Sequence, residues 1–174
     1  MYKETLIILK PDALERNLIG GILQRYEESG LQVIDMRYVQ QVENELVGRH
    51  YPESMAESIG LKAMRSVEGI TDPEAHGRKV LTQLRDYITR GPVIAIRIGG
   101  EEAIKSVRAI TGFTDPVTAE SGTIRGDYGI DSIARAEKEG RACENLVHAS
   151  GNPEEANYEL SLWFPTTADF WAPS

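Results

Sequence analysis

Thr5 to Leu9 is a continuous apolar run that stops at Lys10-Pro11-Asp12. Proline brings no N–H to a sheet ladder, so a buried strand must end there. Val93 to Ile98 is the clearest strand signal in the chain, and Leu31 to Val39, rich in β-formers, is another. Asn145 to Val147 is expected to add a short one. Between these runs the apolar spacing turns helical. Ile19, Leu23 and Tyr26 make a stripe after the first run, with Asn17 as the expected cap and Gly30 as the terminator. Ile104, Val107 and Ile110 make another after the third run.

Other boundaries follow from the same signals. Glu43 to His50 and Glu53 to Arg65 read as short helical pieces, Thr71-Asp72-Pro73 as a break, and Val80 to Ile88 as a resumed helix. Gly99-Gly100 is expected to end the Val93 strand, with Glu101-Glu102 opening the next helix, where acids suit the dipole, and Gly112 closing it. Thr111 to Tyr128 reads as a long polar binding loop. Asn152-Pro153-Glu154-Glu155 combines a cap, a proline at the first position and first-turn acids, a strong helix start. The order is β-α-β, a helical stretch, then β-α-β-α. Its six core elements fit an α+β, ferredoxin-like βαββαβ fold, with a four-stranded antiparallel sheet and helices on one face. No repeat or composition shift divides the chain, so residues 1–174 read as a single domain.

Composition narrows the function. At 41% hydrophobic and 26% charged residues the chain is ordinary globular protein. No apolar stretch approaches the roughly 18 residues of a membrane span, so no membrane association is expected. The single cysteine, Cys143, forms no internal disulfide, and a cytoplasmic setting is expected. A formal net charge of −8 disfavours general nucleic-acid binding, which needs Lys and Arg against phosphates. A small anionic ligand is still compatible, provided that a few cations are focused in one cleft. Neither common phosphate loop occurs: Gly100 to Ser106 lacks the second glycine of a P-loop, and no G-x-G-x-x-G follows a strand. One cysteine and three scattered histidines give no zinc spacing, and no G-x-S-x-G elbow is present.

His148 stands out, just after the Asn145 strand and before the helix that opens at Pro153. That helix can fold back and bring Glu159 within reach. An imidazole attacks phosphorus well when a carboxylate holds one ring nitrogen and leaves the other free. A lone histidine at a strand end is also an ordinary surface residue. In Gly122-Thr123-Ile124-Arg125-Gly126-Asp127, two glycines flank an arginine, so backbone and planar cation can both approach a phosphate. A simple turn is the competing reading. Arg108 flanks an apolar helix face, and Lys10 follows a buried strand directly. Lys10 is equally at home as a strand-ending charge, and Arg108 taken alone reads better as a solvated helix charge.

Taken together, Lys10-Pro11-Asp12, Thr114-Asp115-Pro116, Gly122 to Asp127 and Asn145-x-x-His148-Ala149-Ser150 occur in the order that resembles the nucleoside diphosphate kinases. The resemblance runs from Thr5 to Trp163. It implies transfer of a γ-phosphate from a nucleoside triphosphate to a nucleoside diphosphate, through phosphorylated His148 oriented by Glu159. It further implies that Lys10, Tyr51, Arg108, Thr114, Arg125 and Asn145 hold phosphates and sugar. Mg²⁺ would arrive with the nucleotide rather than in a protein metal site, and the assembly would be a homo-oligomer, hexameric or tetrameric. A non-catalytic nucleotide- or protein-binding module of the same fold is the alternative, and retention of the histidine and the cations argues against it.

Three departures accompany the resemblance. The segments around 61–90 and 129–144 are longer than in compact family members, and Ser132 to Cys143 has a helical character. The resemblance implies a nucleotide-binding helical hairpin after Tyr51 with an aromatic that stacks on the base; this chain has Ile59, Leu61 and Met64 there but no phenylalanine. Gly151 stands where the family usually has aspartate.

Overall fold

In the computed structural model, which describes residues 1–64 and 67–165, the first apolar run lies in β1 (Tyr2–Leu9). Leu6, Ile7, Ile8 and Leu9 are each 0% exposed. Strand side chains alternate between faces, so four consecutive buried residues require cover on both sides of the sheet. Burying each contributes about 1.5–3 kcal/mol. β2 (Gln32–Val39), β3 (Val93–Glu101) and β4 (Val147–Ala149) complete a sheet in the order β2-β3-β1-β4, with every pairing antiparallel. The ferredoxin-like sheet is as expected.

The placement of the helices is not. On one face Ile7, Leu9, Ile96 and Ile98 pack against α2 (Ile19–Glu28), α6 (Ala103–Thr111) and α7 (Ile124–Tyr128) through Ile22, Tyr26, Val107 and Ile124. On the other, Leu6, Ile8, Val93 and Ala95 meet α3 (Asn44–His50), α5 (Pro73–Thr89) and α9 (Pro153–Trp163) through Val47, Leu81, Ile88 and Leu162. The expectation of helices on one face is corrected: the double-sided burial of β1 demands both.

Several boundaries also move. β3 runs through Gly99 and Gly100, which pair with Glu4 and Lys3. A Cβ on Gly99 would lie 2.4 Å from the Tyr2 hydroxyl, so the glycine admits a cross-strand aromatic rather than ending the strand. Glu102 sits in the left-handed region at φ 49° and precedes α6 instead of opening it. Asn17, at φ 57°, is in the same region and caps nothing; α2 starts after Leu18. α5 begins at Pro73, where Asp72 accepts a hydrogen bond from the Ala75 amide, seven residues before the expected resumption. Thr111 to Tyr128 is not simply a loop: it contains a 3-10 turn at Pro116–Thr118 as well as α7. α1 (Pro11–Glu15) starts at the proline that ends the first strand signal.

The described parts of the two long segments carry helices. α4 (Ala56–Ala63) follows a 3-10 turn and covers most of the expected Glu53–Arg65 piece; Arg65 lies outside the described residues. α4 crosses α5 where Gly60 and Gly77 bring backbone onto backbone: a Cβ on Gly77 would stand 1.8 Å from the Ala56 carbonyl oxygen. Residues 129–144 hold α8 (Ile133–Glu139). Asp131 closes this segment, accepting from Arg141 at 2.5 and 3.0 Å and from the Glu144 amide at 2.9 Å. Lys79 on α5 reaches Glu137 on α8 at 2.6 Å, joining the two segments.

Gly77→Ala is expected to destabilise the fold by about 1–3 kcal/mol, because the helices must separate. Gly20→Ala, which meets nothing within 4 Å on α2, is expected to stabilise it by about 0.5–1 kcal/mol. Urea unfolding checks both, and equal midpoints for the two variants would contradict the crossing geometry.

Candidate active site

β4 and α9 build the centre of the site. β4 lies against β1 with His148 opposite Ile8, so the pairing fixes where the imidazole leaves the sheet. α9 starts at Asn152, whose side chain accepts from the Glu155 amide at 2.9 Å. Glu159, on the second turn, then comes back over the strand. His148 Nε2 lies 2.9 Å from both Glu159 oxygens. Ser150 Oγ donates to Glu159 Oε2 at 2.5 Å.

Glu159 is only 7% exposed. Burial raises its carboxyl, but the charge and hydrogen bond of His148, with His50 and Ser150, outweigh burial and hold it down to about 2. The ionised carboxylate fixes the proton of His148 on Nε2, leaving the Nδ1 lone pair as the nucleophilic position.

Behind this pair sits His50, 4% exposed, its ring edge-on to His148 at 4.6 Å. Its Nδ1 accepts from Trp163 Nε1 at 3.3 Å and lies 3.7 Å from Glu159. Burial, then the neighbouring His148, push His50 down to about 3, so its ring is neutral. Tyr51, also buried, packs its ring on His50 at 4.5 Å. His50 and Ser150 were missed by sequence reasoning, although each lies within two residues of a position it named.

Two of the three expected cations, Lys10 and Arg125, are close to the strand. Lys10 Nζ donates to Asn145 Oδ1 at 2.8 Å, and Asn145 Nδ2 donates to the Thr114 carbonyl at 2.9 Å. Burial, then Arg125, lower the Lys10 ammonium to about 8, with Asp12 acting in the opposite sense. Arg125 is 9% exposed, and its three nitrogens donate to the carbonyls of Asn145, Gly112 and Val147. It therefore staples β4 to the loop after α6, and its two remaining N–H groups are what it can offer a ligand. Arg108 stands apart, exposed on α6, lining a cleft of about 360 Å³ with Ile104, Gly151 and Asn152. A larger surface cleft between α3 and α5 contains none of these residues.

The turn before His148 is strained. The expected Asn145–Val147 strand is corrected to Val147–Ala149, because Leu146 adopts φ 70°. The Val147 amide donates back to the Asn145 carbonyl at 2.8 Å, a three-residue γ-turn. A non-glycine residue held this way costs about 1–3 kcal/mol. His148 consequently sits within the strand, not after it. At Gly151, the amide donates to Glu155 Oε2 at 2.8 Å, and a Cβ there would meet that oxygen at 2.7 Å. Glu155 thus supplies a carboxylate beside the position where the family usually has one.

Comparison with known proteins places the whole chain in one family. A sequence model described as nucleoside diphosphate kinase matches residues 3–168. Nucleoside diphosphate kinases from Pyrobaculum aerophilum and Pyrococcus furiosus are 40% and 37% identical, each over 93% of this chain and over 94% and 83% of their own length. The crystal structure of an NDP kinase from Pyrobaculum aerophilum superposes with a TM-score of 0.85 at 40% identity, covering 94% of this chain and 96% of that one. The Borrelia burgdorferi nucleoside-diphosphate kinase, solved as a transition state mimic with bound vanadate and ADP, gives 0.81 at 29% identity, covering 99% and 92%.

Because Glu159 titrates lower folded than unfolded, its ionic contribution to stability is complete above about pH 4.5 and is lost as pH falls towards 2. The difference in unfolding free energy between the parent and Glu159→Gln is expected to shrink below about pH 4.5. Denaturant titrations at pH 6 and pH 3.5 check this, and a difference independent of pH would contradict an ionised Glu159.

Proposed function

The chain belongs to the nucleoside diphosphate kinase family, and we propose that His148 Nδ1 carries a phosphoryl group from a nucleoside triphosphate to a nucleoside diphosphate. One observation carries the assignment: the buried Glu159 carboxylate engages Nε2 with both oxygens, while Nδ1 has no hydrogen-bond partner among the described residues. In the first half-reaction Nδ1 attacks the γ-phosphorus. The Nδ1–P bond forms, the P–O bond to the β-phosphate breaks, and the electron pair leaves on the diphosphate. Positive charge grows on the ring, and Glu159 stabilises it through Nε2–H. The second half-reaction runs the same steps in reverse with a different diphosphate.

Phosphoryl transfer asks a protein chiefly for positioning and cations. Lys10, Arg108 and the spare N–H groups of Arg125 are the cations in this reading. Tyr51, Thr114 and Asn145 complete the phosphate and sugar contacts, on the strength of the family match. Phosphate binding near Lys10 raises its proton affinity, so the ligand itself keeps that ammonium charged. Mg²⁺ favours oxygen ligands and retains water. The cluster of His50, His148 and Glu159 is a poor cage for it, being buried, largely nitrogen and already internally paired. A magnesium ion held by the nucleotide phosphates suits these residues better, and when bound it neutralises charge on the phosphate oxygens.

We extend the proposal to a homo-oligomer. β2 pairs on one edge only among the described residues, and Ile34, Met36 and Tyr38 on it are 42–59% exposed. An unprotected edge with apolar side chains suits a second copy of the chain. Tetramer or hexamer can be distinguished by sedimentation.

Incubation with γ-labelled ATP is expected to give an acid-labile, alkali-stable phosphoprotein that then labels GDP. His148→Ala is expected to lose both. Nucleotide binding without transfer would instead support a non-catalytic module.

A further inference from the structure

Asp12 is a carboxylate that the proposed reaction does not use, buried to 1% exposure at the start of α1. Both oxygens are occupied. Oδ1 accepts from the Tyr87 hydroxyl at 2.5 Å, and Oδ2 accepts from the Leu146 amide at 3.1 Å. Leu146 is the strained residue of the γ-turn. Its carbonyl is held as well, accepting from the Lys10 amide at 2.8 Å. Residues 10–12 therefore grip the strained residue at both ends.

On either side of Leu146 stand two site residues. Asn145, before it, bridges Lys10 and Thr114; His148, two residues after it, enters β4. If Leu146 relaxed to negative φ, the Asn145 carboxamide and the His148 ring could not both keep their directions. A strained conformation persists only where its surroundings over-determine it, and the Asp12 bond is part of that over-determination. Tyr87, 5% exposed on α5, fixes the carboxylate from behind. Its ring lies 5.0 Å from Lys10 Nζ. Burial, then the adjacent Asp12, raise the Tyr87 phenol well above its ordinary value, so it remains a donor at every working pH.

We propose that Asp12, braced by Tyr87, is a positioning residue for phosphoryl transfer: it locks the Leu146 turn and thereby sets His148 and Asn145. This inference rests on the reading of His148 as the phosphorylated residue.

The test uses the full chain with ATP and Mg²⁺. The rate of phosphohistidine formation is measured by single-turnover rapid quench, alongside the ADP dissociation constant and thermal melting. Asp12→Ala is expected to slow phosphorylation about 100-fold, the scale of loss for roughly 1 Å of misplacement. Its ADP affinity is expected to fall far less. Asp12→Asn can still accept the Leu146 N–H and donate to the Tyr87 oxygen, so it should recover most of the rate. Tyr87→Phe, which keeps the carboxylate, should give an intermediate loss and carries the test if Asp12→Ala does not fold.

Parent-like phosphorylation in both Asp12→Ala and Tyr87→Phe would overturn the proposal. So would an Asp12→Asn protein as slow as Asp12→Ala, because charge rather than geometry would then be at work. Failure of the parent chain to form phosphohistidine at all would overturn the function proposed above.

Discussion

A carboxylate taken out of water must find partners or give up its charge, and Glu159 has two, His148 and Ser150. Its oxygens take His148 Nε2 and Ser150 Oγ, with His50 close by. That arrangement exists only because α9 returns across the sheet. The return in turn depends on the Asn152 cap, Pro153 at the first helical position and the packing of Leu162 and Trp163 beneath Leu6 and Ile8. A histidine without such a partner can carry its proton on either ring nitrogen; here the carboxylate selects Nε2–H and leaves the lone pair on Nδ1. The direction of attack in the proposed reaction follows from that distinction.

A second constraint lies in the chain's charge. With a net charge of −8, a binding site for polyphosphates depends on local focusing. Lys10 and Arg125 are buried beside β4, where the low surrounding dielectric strengthens their field. Burial works against both cations, lowering the lysine to about 8 and the arginine from its ordinary value. Arg125 is tolerated because three carbonyl dipoles solvate its charge through hydrogen bonds. The same bonds make it a fastening for the strand that bears His148, so one side chain has a structural and an electrostatic role.

Much of this was legible in the sequence. The Thr5–Leu9 run, the stripe of α6 and the Asn152-Pro153 start are local signals, and local signals locate elements well. The pairing of His148 with Glu159 was also accessible, since strand followed by helix places the two a short fold-back apart. What escaped depends on long-range contacts. Gly99 and Gly100 read as a stop because glycine usually punctuates a strand, yet Tyr2 and Ile34 occupy the space above Gly99. Leu146 carries no sign of positive φ, because the turn is imposed by Lys10 and Asp12, more than 130 positions away. His50 gave no signal for a similar reason: its importance arises from a ring contact with a residue 98 positions later. Helices on both faces were recoverable from the double-sided burial of β1, an inference the six-element pattern obscured.

The distinction between the two ring nitrogens admits a direct measurement. Nitrogen and phosphorus NMR of the phosphorylated, denatured protein, kept at alkaline pH, identifies which atom of His148 bears the phosphoryl group. Phosphate on Nδ1 is the predicted result, because Nε2 is committed to Glu159. Phosphate on Nε2, or on a residue other than His148, would contradict the account.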